Sequence, residues 1–280
     1  MKKTIFITGA SAGVGKATAK LFNAMGWKVI ATMRNPEKEA ELSASSDLRL
    51  LKLDVTDPAS VDQAVAAALS GTEVDVVLNN AGYYTTGALE TLNDEQIRQQ
   101  FDTNLFGVIR LTKAFTPYFR ERKQGMFINV SSMVGLFGYP ERSVYVASKF
   151  ALDGFSESMA YELAGFGIGL KIIVPGGITT GFGDNAVNGA QHVAYRPLEE
   201  KMGEGRIVEG IRKFSSAEDV ALVIYQAATD RKDQLRYITG ADADAVCGER
   251  ERIGAEAHYQ KIKAMFTFDE PESFLQNEKG

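Results

Sequence analysis

Thr4-Ile-Phe-Ile-Thr8-Gly9-Ala-Ser11-Ala-Gly13-Val14-Gly15-Lys-Ala-Thr-Ala19 is the stretch whose reading decides the fold. A short apolar run ends in a glycine-rich turn, and a helical pattern follows. Gly9 permits the tight turn. Gly13 and Gly15 let the backbone approach a pyrophosphate and let the helix pack closely on the strand. The helix N-terminus then offers amide donors and a partial positive charge to the phosphates. The spacing is G-x-x-x-G-x-G rather than the commoner G-x-G-x-x-G. Glycines also serve ordinary loops, so the argument rests on their place between strand and helix.

The same alternation continues outward. Strands are expected at 4–8, 28–32, 48–53, 74–79, 126–131, 170–174 and 235–239. Amphipathic stretches near 14–25, 58–70, 93–120, 143–165 and 216–229 lie between them. Strand–helix alternation specifies a parallel sheet with helices on both faces, and right-handed crossovers make it doubly wound. The expected fold is a single-domain α/β Rossmann fold with about seven strands. The domain is assigned to 1–250, with an irregular substrate loop at 176–215 and a C-terminal extension at 251–280 carrying a helix near 251–265. Ligands of such sheets bind beyond the carboxyl ends of the strands. The Gly9 turn, Asp54, Asn79, Ser132 and Pro175 all fall at those ends, which points to one shared site.

Tyr145-Val-Ala-Ser-Lys149 lies in the fourth amphipathic stretch. Positions i and i+4 share a helix face, so phenol and ammonium stand side by side. A phenol has an ordinary pKa of about 10, and a cation held close favours its ionised form. Lys149 is therefore expected to lower the pKa of Tyr145, giving an acid/base group suited to a carbonyl or alcohol oxygen. Ser132, thirteen residues earlier, closes the run Met126-Phe-Ile-Asn-Val-Ser-Ser132 and offers a hydroxyl to that oxygen. Ser131 competes for the role, and the spacing to Tyr145 selects Ser132. A helix or turn cap is the plainer use of such a serine.

The bulk properties exclude several classes. The 280 residues carry 31 basic and 36 acidic side chains, a net charge of −5. No basic run marks a nucleic-acid or anionic membrane surface. Cys247 is the single cysteine, so no intrachain disulfide forms. The first apolar run breaks at Thr8-Gly9, too short for a signal peptide. No apolar stretch approaches the ~20 residues of a membrane span. A cytoplasmic enzyme is expected, without a metal. His192 and His258 lie outside the motifs, which disfavours a serine-nucleophile hydrolase.

Thr8-Gly-x-x-x-Gly13-x-Gly15, Asn79-Asn-Ala-Gly82, Asn104, Ser132, Tyr145-x-x-x-Lys149 and Pro175-Gly-x-x-x-Thr180 occur in one order. That order resembles the short-chain dehydrogenase/reductase family from about residue 4 to 240. The stretch from Ser132 to Tyr145 is similar to the branch with 17β-hydroxysteroid and retinol dehydrogenases. The resemblance implies catalytic roles for Asn104, Ser132, Tyr145 and Lys149. Asn104 would accompany a helix kink and a water leading to Lys149, and Lys149 would also hold the nicotinamide ribose. The implied cofactor contacts are Gly9, Ser11, Gly13, Val14, Gly15, Asp54, Val55, Asn80, Ala81, Gly82, Tyr145, Lys149, Pro175, Gly176, Ile178 and Thr180. Asn79 or Asn80 would lie toward the adenosine, Gly82 near the ribose, and Asp54 against the adenine.

Cofactor choice turns on the end of the second strand. An NAD enzyme places an acid about 20 residues past the glycines for the ribose 2′-OH. Here that place holds Thr32, with Arg34 two residues on. A guanidinium can clamp a 2′-phosphate, which points to NADP(H). Tyr83, Tyr84, Phe137, Tyr139, Phe182 and Tyr195 fall in expected loops at the strand ends and form a pocket for a bulky apolar carbonyl compound or alcohol. Loop 181–215 is expected to close over it as a glycine-hinged lid. The family implies a homodimer or homotetramer through the two long helices. The alternatives are a 3-oxoacyl thioester reductase, disfavoured by the C-terminal extension, and a non-catalytic nucleotide sensor.

Overall fold

The computed structural model describes residues 2–42, 45–179, 186–204 and 214–267, with the side chains of 203 and 204 excepted. Seven strands form one sheet: β1 (Thr4–Ile7), β2 (Lys28–Met33), β3 (Leu48–Lys52), β4 (Val76–Asn79), β5 (Gly125–Val130), β6 (Ile168–Pro175) and β7 (Arg236–Thr239). Their spatial order is β7-β6-β5-β4-β1-β2-β3, and every neighbouring pair is parallel.

Side chains alternate across the sheet with period two. Ile5, Ile7, Val29, Ala31, Val76, Leu78 and Ile128 face one layer. Phe6, Ile30, Val77, Phe127, Ile172 and Val174 face the other. Both layers are apolar because helices cover both faces. On the first face lie α1 (Gly13–Ala24) and α7 (Ala217–Thr229), which bring in Phe22, Val220 and Ile224. On the second lie α2 (Pro58–Leu69), α4 (Gly107–Arg122) and α5 (Ser143–Ala164), with Val61, Leu111, Phe115 and Leu163. Asp57 caps α2 by accepting from the Ala59 N–H at 2.9 Å, with Pro58 as the first helical residue.

Three expectations need correction. The helix expected at 93–120 is not continuous. Asn93 and Gln96 close a capping box on α3 (Asp94–Phe101), and a π-helical segment, Asp102–Phe106, then separates it from α4. Loop 176–215 is not uniformly irregular. Val187–Asn188 pairs with Thr85–Thr86, Ile178–Thr179 pairs with Ser215–Ser216, and Arg196–Glu204 forms α6. The boundary drawn at residue 250 cuts a helix, because α8 runs Ala241–Ile253, followed by α9 (Ala255–Phe266). Among the described residues no helix is long and apolar enough to cross a membrane.

Candidate active site

The turn after β1 is braced from β4. The buried Thr8 Oγ1 accepts the N–H groups of Asn80 and Ala81, each at 2.9 Å. Asn80 Nδ2 donates back to the carbonyls of Thr8 (2.9 Å) and Gly9 (3.1 Å). The Asn80 amide nitrogen therefore holds the glycine turn. Gly9 has φ +66°, and a Cβ there would stand 2.8 Å from Ala81 Cα. A Cβ on Gly15 would stand 2.3 Å from the Gly9 carbonyl oxygen. Both positions admit only glycine. Beyond them, Ser11 is exposed, and Gly13 and Val14 open α1. The α1 N-cap, Ala12, makes no side-chain cap, and the first turn holds no acid, so the helix N-terminus is left for an anion. These features fit the phosphates of a dinucleotide.

Asn79 points elsewhere. Its Nδ2 donates to Asn129 Oδ1 (2.8 Å), whose Nδ2 donates to Ser156 Oγ (2.8 Å), in a buried chain across β4, β5 and α5. At the end of β2, Thr32 is buried and gives its hydroxyl to the Ile7 carbonyl at 3.0 Å. That leaves the exposed Arg34 as the polar group facing outward there. Asp54 lies near it and accepts from the Thr56 N–H (3.0 Å) and hydroxyl (2.7 Å). Burial is the largest influence on the Asp54 carboxyl and acts upward. The Thr56 bonds and the Arg34 charge together outweigh it, and the carboxyl ends below its usual range. Val55 is buried against Gly107, and its carbonyl accepts from Arg110 at 3.2 Å.

At the sheet's centre the π segment sets Asn104 inward. Its Oδ1 accepts the Tyr83 N–H (3.2 Å), and its Nδ2 donates to the Tyr83 carbonyl (2.9 Å) and Ser148 Oγ (3.3 Å). Gly82 faces it, since a Cβ there would stand 3.1 Å from Asn104 Oδ1. Asn104 thus joins the Asn79–Gly82 turn to α5. Ser132 caps the short turn Met133–Gly135, accepting the Val134 N–H at 3.4 Å, and hydrogen-bonds the Tyr145 hydroxyl. The cap is thus present, and its hydroxyl lies beside Tyr145. Ser131 Oγ is enclosed against Gly135 with no hydrogen-bond partner.

Lys149 and Tyr145 do share a face of α5, with Nζ 5.8 Å from the ring centroid. The phenol is nonetheless raised rather than lowered. Burial raises the Tyr145 phenol above its ordinary value. The Ser132 bond and the charge of Arg142 pull it down, and Tyr84 adds to the rise. Lys149 Nζ instead donates to the Val130 carbonyl at 2.9 Å, and burial pushes the ammonium down to about 8. Arg142 is a second cation that acts on the phenol, pulling its pKa down.

Of the aromatic residues expected on the substrate side, Tyr84 and Tyr139 meet around Arg142. The Tyr84 ring lies 5.8 Å from that of Tyr145, and the Arg142 guanidinium stands 5.3 Å from Tyr84 and 5.4 Å from Tyr139. Phe137 belongs to the core, 1% exposed and edge-on to His258 at 5.3 Å. Tyr195 contacts His192 and hydrogen-bonds Glu90, and Phe182 lies outside the described residues. Phe266 meets Tyr139 at 5.4 Å, so α9 backs this wall. A cleft of about 570 Å³ is lined by Tyr139, Pro140, His258, Ile262, Lys263 and Phe266.

After β6, Pro175-Gly176-Gly177 is fixed by Asp242, which the sequence did not single out. Asp242 Oδ2 accepts the Gly177 N–H at 2.6 Å, and a Cβ on Gly176 would stand 2.1 Å from Oδ1. The available signal was an acid in the first turn of a helix beginning after Thr239-Gly240. Ile178 pairs with Ser215, and Thr180 lies outside the described residues. Arg142 was also missed, although it precedes Tyr145 by less than one helical turn.

Comparison with known proteins agrees with this geometry. Residues 3–191 match the family model described as short chain dehydrogenase. Human retinol dehydrogenase 8 is 39% identical over 189 residues, covering 64% of this chain and 60% of that protein. A short-chain dehydrogenase from Streptomyces avermitilis is 34% identical in its crystal structure, with TM-score 0.81 over 94% of this chain and 98% of that one. A structure described as ElxO with NADP bound is 26% identical, with TM-score 0.71 over 85% and 98%. With the glycine turn, the seven parallel strands and the Ser132–Tyr145–Lys149 set in one site, this chain belongs to the short-chain dehydrogenase family of oxidoreductases.

Proposed function

We propose that the protein is a cytoplasmic NADP(H)-dependent oxidoreductase that reduces a bulky ketone or aldehyde, or oxidises the matching alcohol. The observation that carries the reading is the buried Tyr145 phenol, with Ser132 acting on its hydroxyl and Lys149 one turn further along α5 at 5.8 Å from its ring. A bound nicotinamide cofactor supplies or accepts the hydride. Tyr145 gives its proton to the carbonyl oxygen as hydride arrives at the carbon, and takes it back in oxidation. Ser132 donates to the same oxygen and stabilises the charge developing there. Lys149, one turn along α5 from Tyr145, would hold the ribose. Asn104 orders the turn at Tyr83 and, through Ser148, the start of α5.

Arg34 supports NADP(H). It is exposed at the strand end where an acid would select NAD, and Thr32 is committed to the Ile7 carbonyl. The exposed Phe106 and Phe150, in the π segment and on α5, favour association into a homodimer or homotetramer. A monomer in sedimentation would remove that point. A thioester reductase remains the runner-up within the class. A nucleotide sensor has no use for a hydroxyl held on a buried phenol.

Steady-state rates with NADPH and NADH on a panel of ketones test the cofactor assignment. NADPH is expected to be preferred. Arg34→Ala should weaken NADPH roughly ten- to a hundredfold through KM, the scale of a charged hydrogen bond, and leave NADH nearly unchanged. Equal efficiency with both cofactors would overturn it.

A further inference from the structure

Arg142 is half-buried, and its Nε is closed off from solvent without a hydrogen-bond partner. Among the described residues it makes no ion pair. Its contacts are the rings of Tyr84 and Tyr139, at 5.3 and 5.4 Å. Arginines held this far from water ordinarily pair with a carboxylate. The adjacent Glu141 does not serve. Its backbone is in the left-handed region (φ +55°), and its Oε1 is buried without a partner of its own. Burial first, and Glu199 second, push Glu141 toward its neutral form, although Arg142 acts against them. The guanidinium therefore stands against two aromatic rings, one ring away from Tyr145, with its buried Nε–H unused and no carboxylate paired to it among the described residues. A planar fork in such a place matches an oxyanion bidentately.

We propose that Arg142 binds an oxyanion of the substrate, a carboxylate or a phosphate monoester, at the end remote from the reacting carbonyl. This rests on the reductase reading above and narrows it. The substrate has a carbonyl for Tyr145, an apolar or aromatic body for Tyr84 and Tyr139, and an anionic terminus for Arg142. The sequence holds the matching signal in Glu141-Arg142-Ser143-Val144-Tyr145, where a cation precedes the catalytic tyrosine by three positions.

The test uses aryl ketones bearing a carboxylate on spacers of graded length, their methyl esters, and phosphate monoesters of the same skeletons. At the spacer that fits, the wild-type protein with NADPH should favour an anion over its neutral ester by at least ~10-fold in kcat/KM, mainly through KM. In Arg142→Gln the ratio should collapse toward one, with Arg142→Lys intermediate. The ratio cancels any general effect of Arg142 on Tyr145 or on folding. Whether carboxylate or phosphate is favoured identifies the anion. Binding of the same compounds to Tyr145→Phe with NADPH, followed by calorimetry, gives a readout that needs no turnover. Ester and acid reduced equally well, and bound equally well, would overturn the inference while leaving the reductase reading in place. Arg142-dependent binding of the anion without reduction of any ketone would keep the anion site and discard that reading.

Discussion

Burial, more than charge pairing, sets the protonation states of Tyr145 and Lys149. The Tyr145 phenol lies above its ordinary value, so at neutral pH it carries the proton that carbonyl reduction requires. Lys149 is pushed down to about 8, and that has a consequence for stability. A base whose folded pKa lies below its unfolded value destabilises the native state at low pH. The unfolded chain holds the extra proton between the two values, so stability rises with pH from about 8 to about 10.5. The cofactor-free Lys149→Met protein should therefore be more stable than the wild type at pH 7 by roughly 1–3 kcal/mol, less than the full shift because the Val130 carbonyl loses its donor. The gain should vanish above about pH 10.5. Denaturant unfolding at several pH values measures it, and a variant less stable than wild type at pH 7 would refute the burial argument. The sequence showed which residues meet, because i, i+4 spacing is local. It did not show how their charges settle, because burial and Arg142 depend on the folded loop.

At the scale of elements, the described part of the long insertion is tied to its neighbours by hydrogen bonds, which bears on the lid expected of it. In its described part, Val187 N–H donates to the Tyr84 carbonyl at 3.0 Å and Gly189 N–H to the Thr86 carbonyl at 2.8 Å. Gln96 Nε2 reaches the Asn188 carbonyl at 3.2 Å, and Lys201 bonds the Thr267 carbonyl on the far side. Thr180, Gly181, Phe182, Gly183 and Gly205, which the lid was expected to use, lie outside the described residues. Hydrogen exchange should accordingly find the amides of Val187 and Gly189 slow in the free protein, in contrast to a hinged flap. Fast exchange at both, slowed by NADPH and a ketone, would restore the lid for this segment too. The strands were legible because their apolar runs end in turn signals at the sheet's carboxyl edge. α6 and α8 were not, because neither shows a clean apolar stripe. α8 buries Asp242, Ala243, Val246 and Cys247, a face in which one member is an acid serving the Gly177 turn. The π segment was foreshadowed only by the kink that the family resemblance implied at Asn104, since Phe101-Asp-Thr-Asn104-Leu-Phe by itself reads as ordinary helix.

For the molecule as a whole, the parallel sheet places the cofactor turn, the acid/base pair and the Asp242-fixed turn at the ends of neighbouring strands. No single motif does this. β1, β4, β5 and β6 lie side by side, so Gly9, Asn80, Ser132 and Pro175 converge although they are far apart in sequence. The C-terminal helices complete the arrangement by backing Phe137 and Tyr139 with His258 and Phe266. The central claim is that Tyr145 transfers the proton in an NADPH-dependent carbonyl reduction. It is tested most directly by following NADPH oxidation by Tyr145→Phe on a ketone that the wild type reduces, with NADPH affinity measured alongside. Turnover should fall at least ~100-fold with NADPH binding nearly intact, the scale of a positioned acid/base group. Near-normal turnover by the folded variant would contradict the claim.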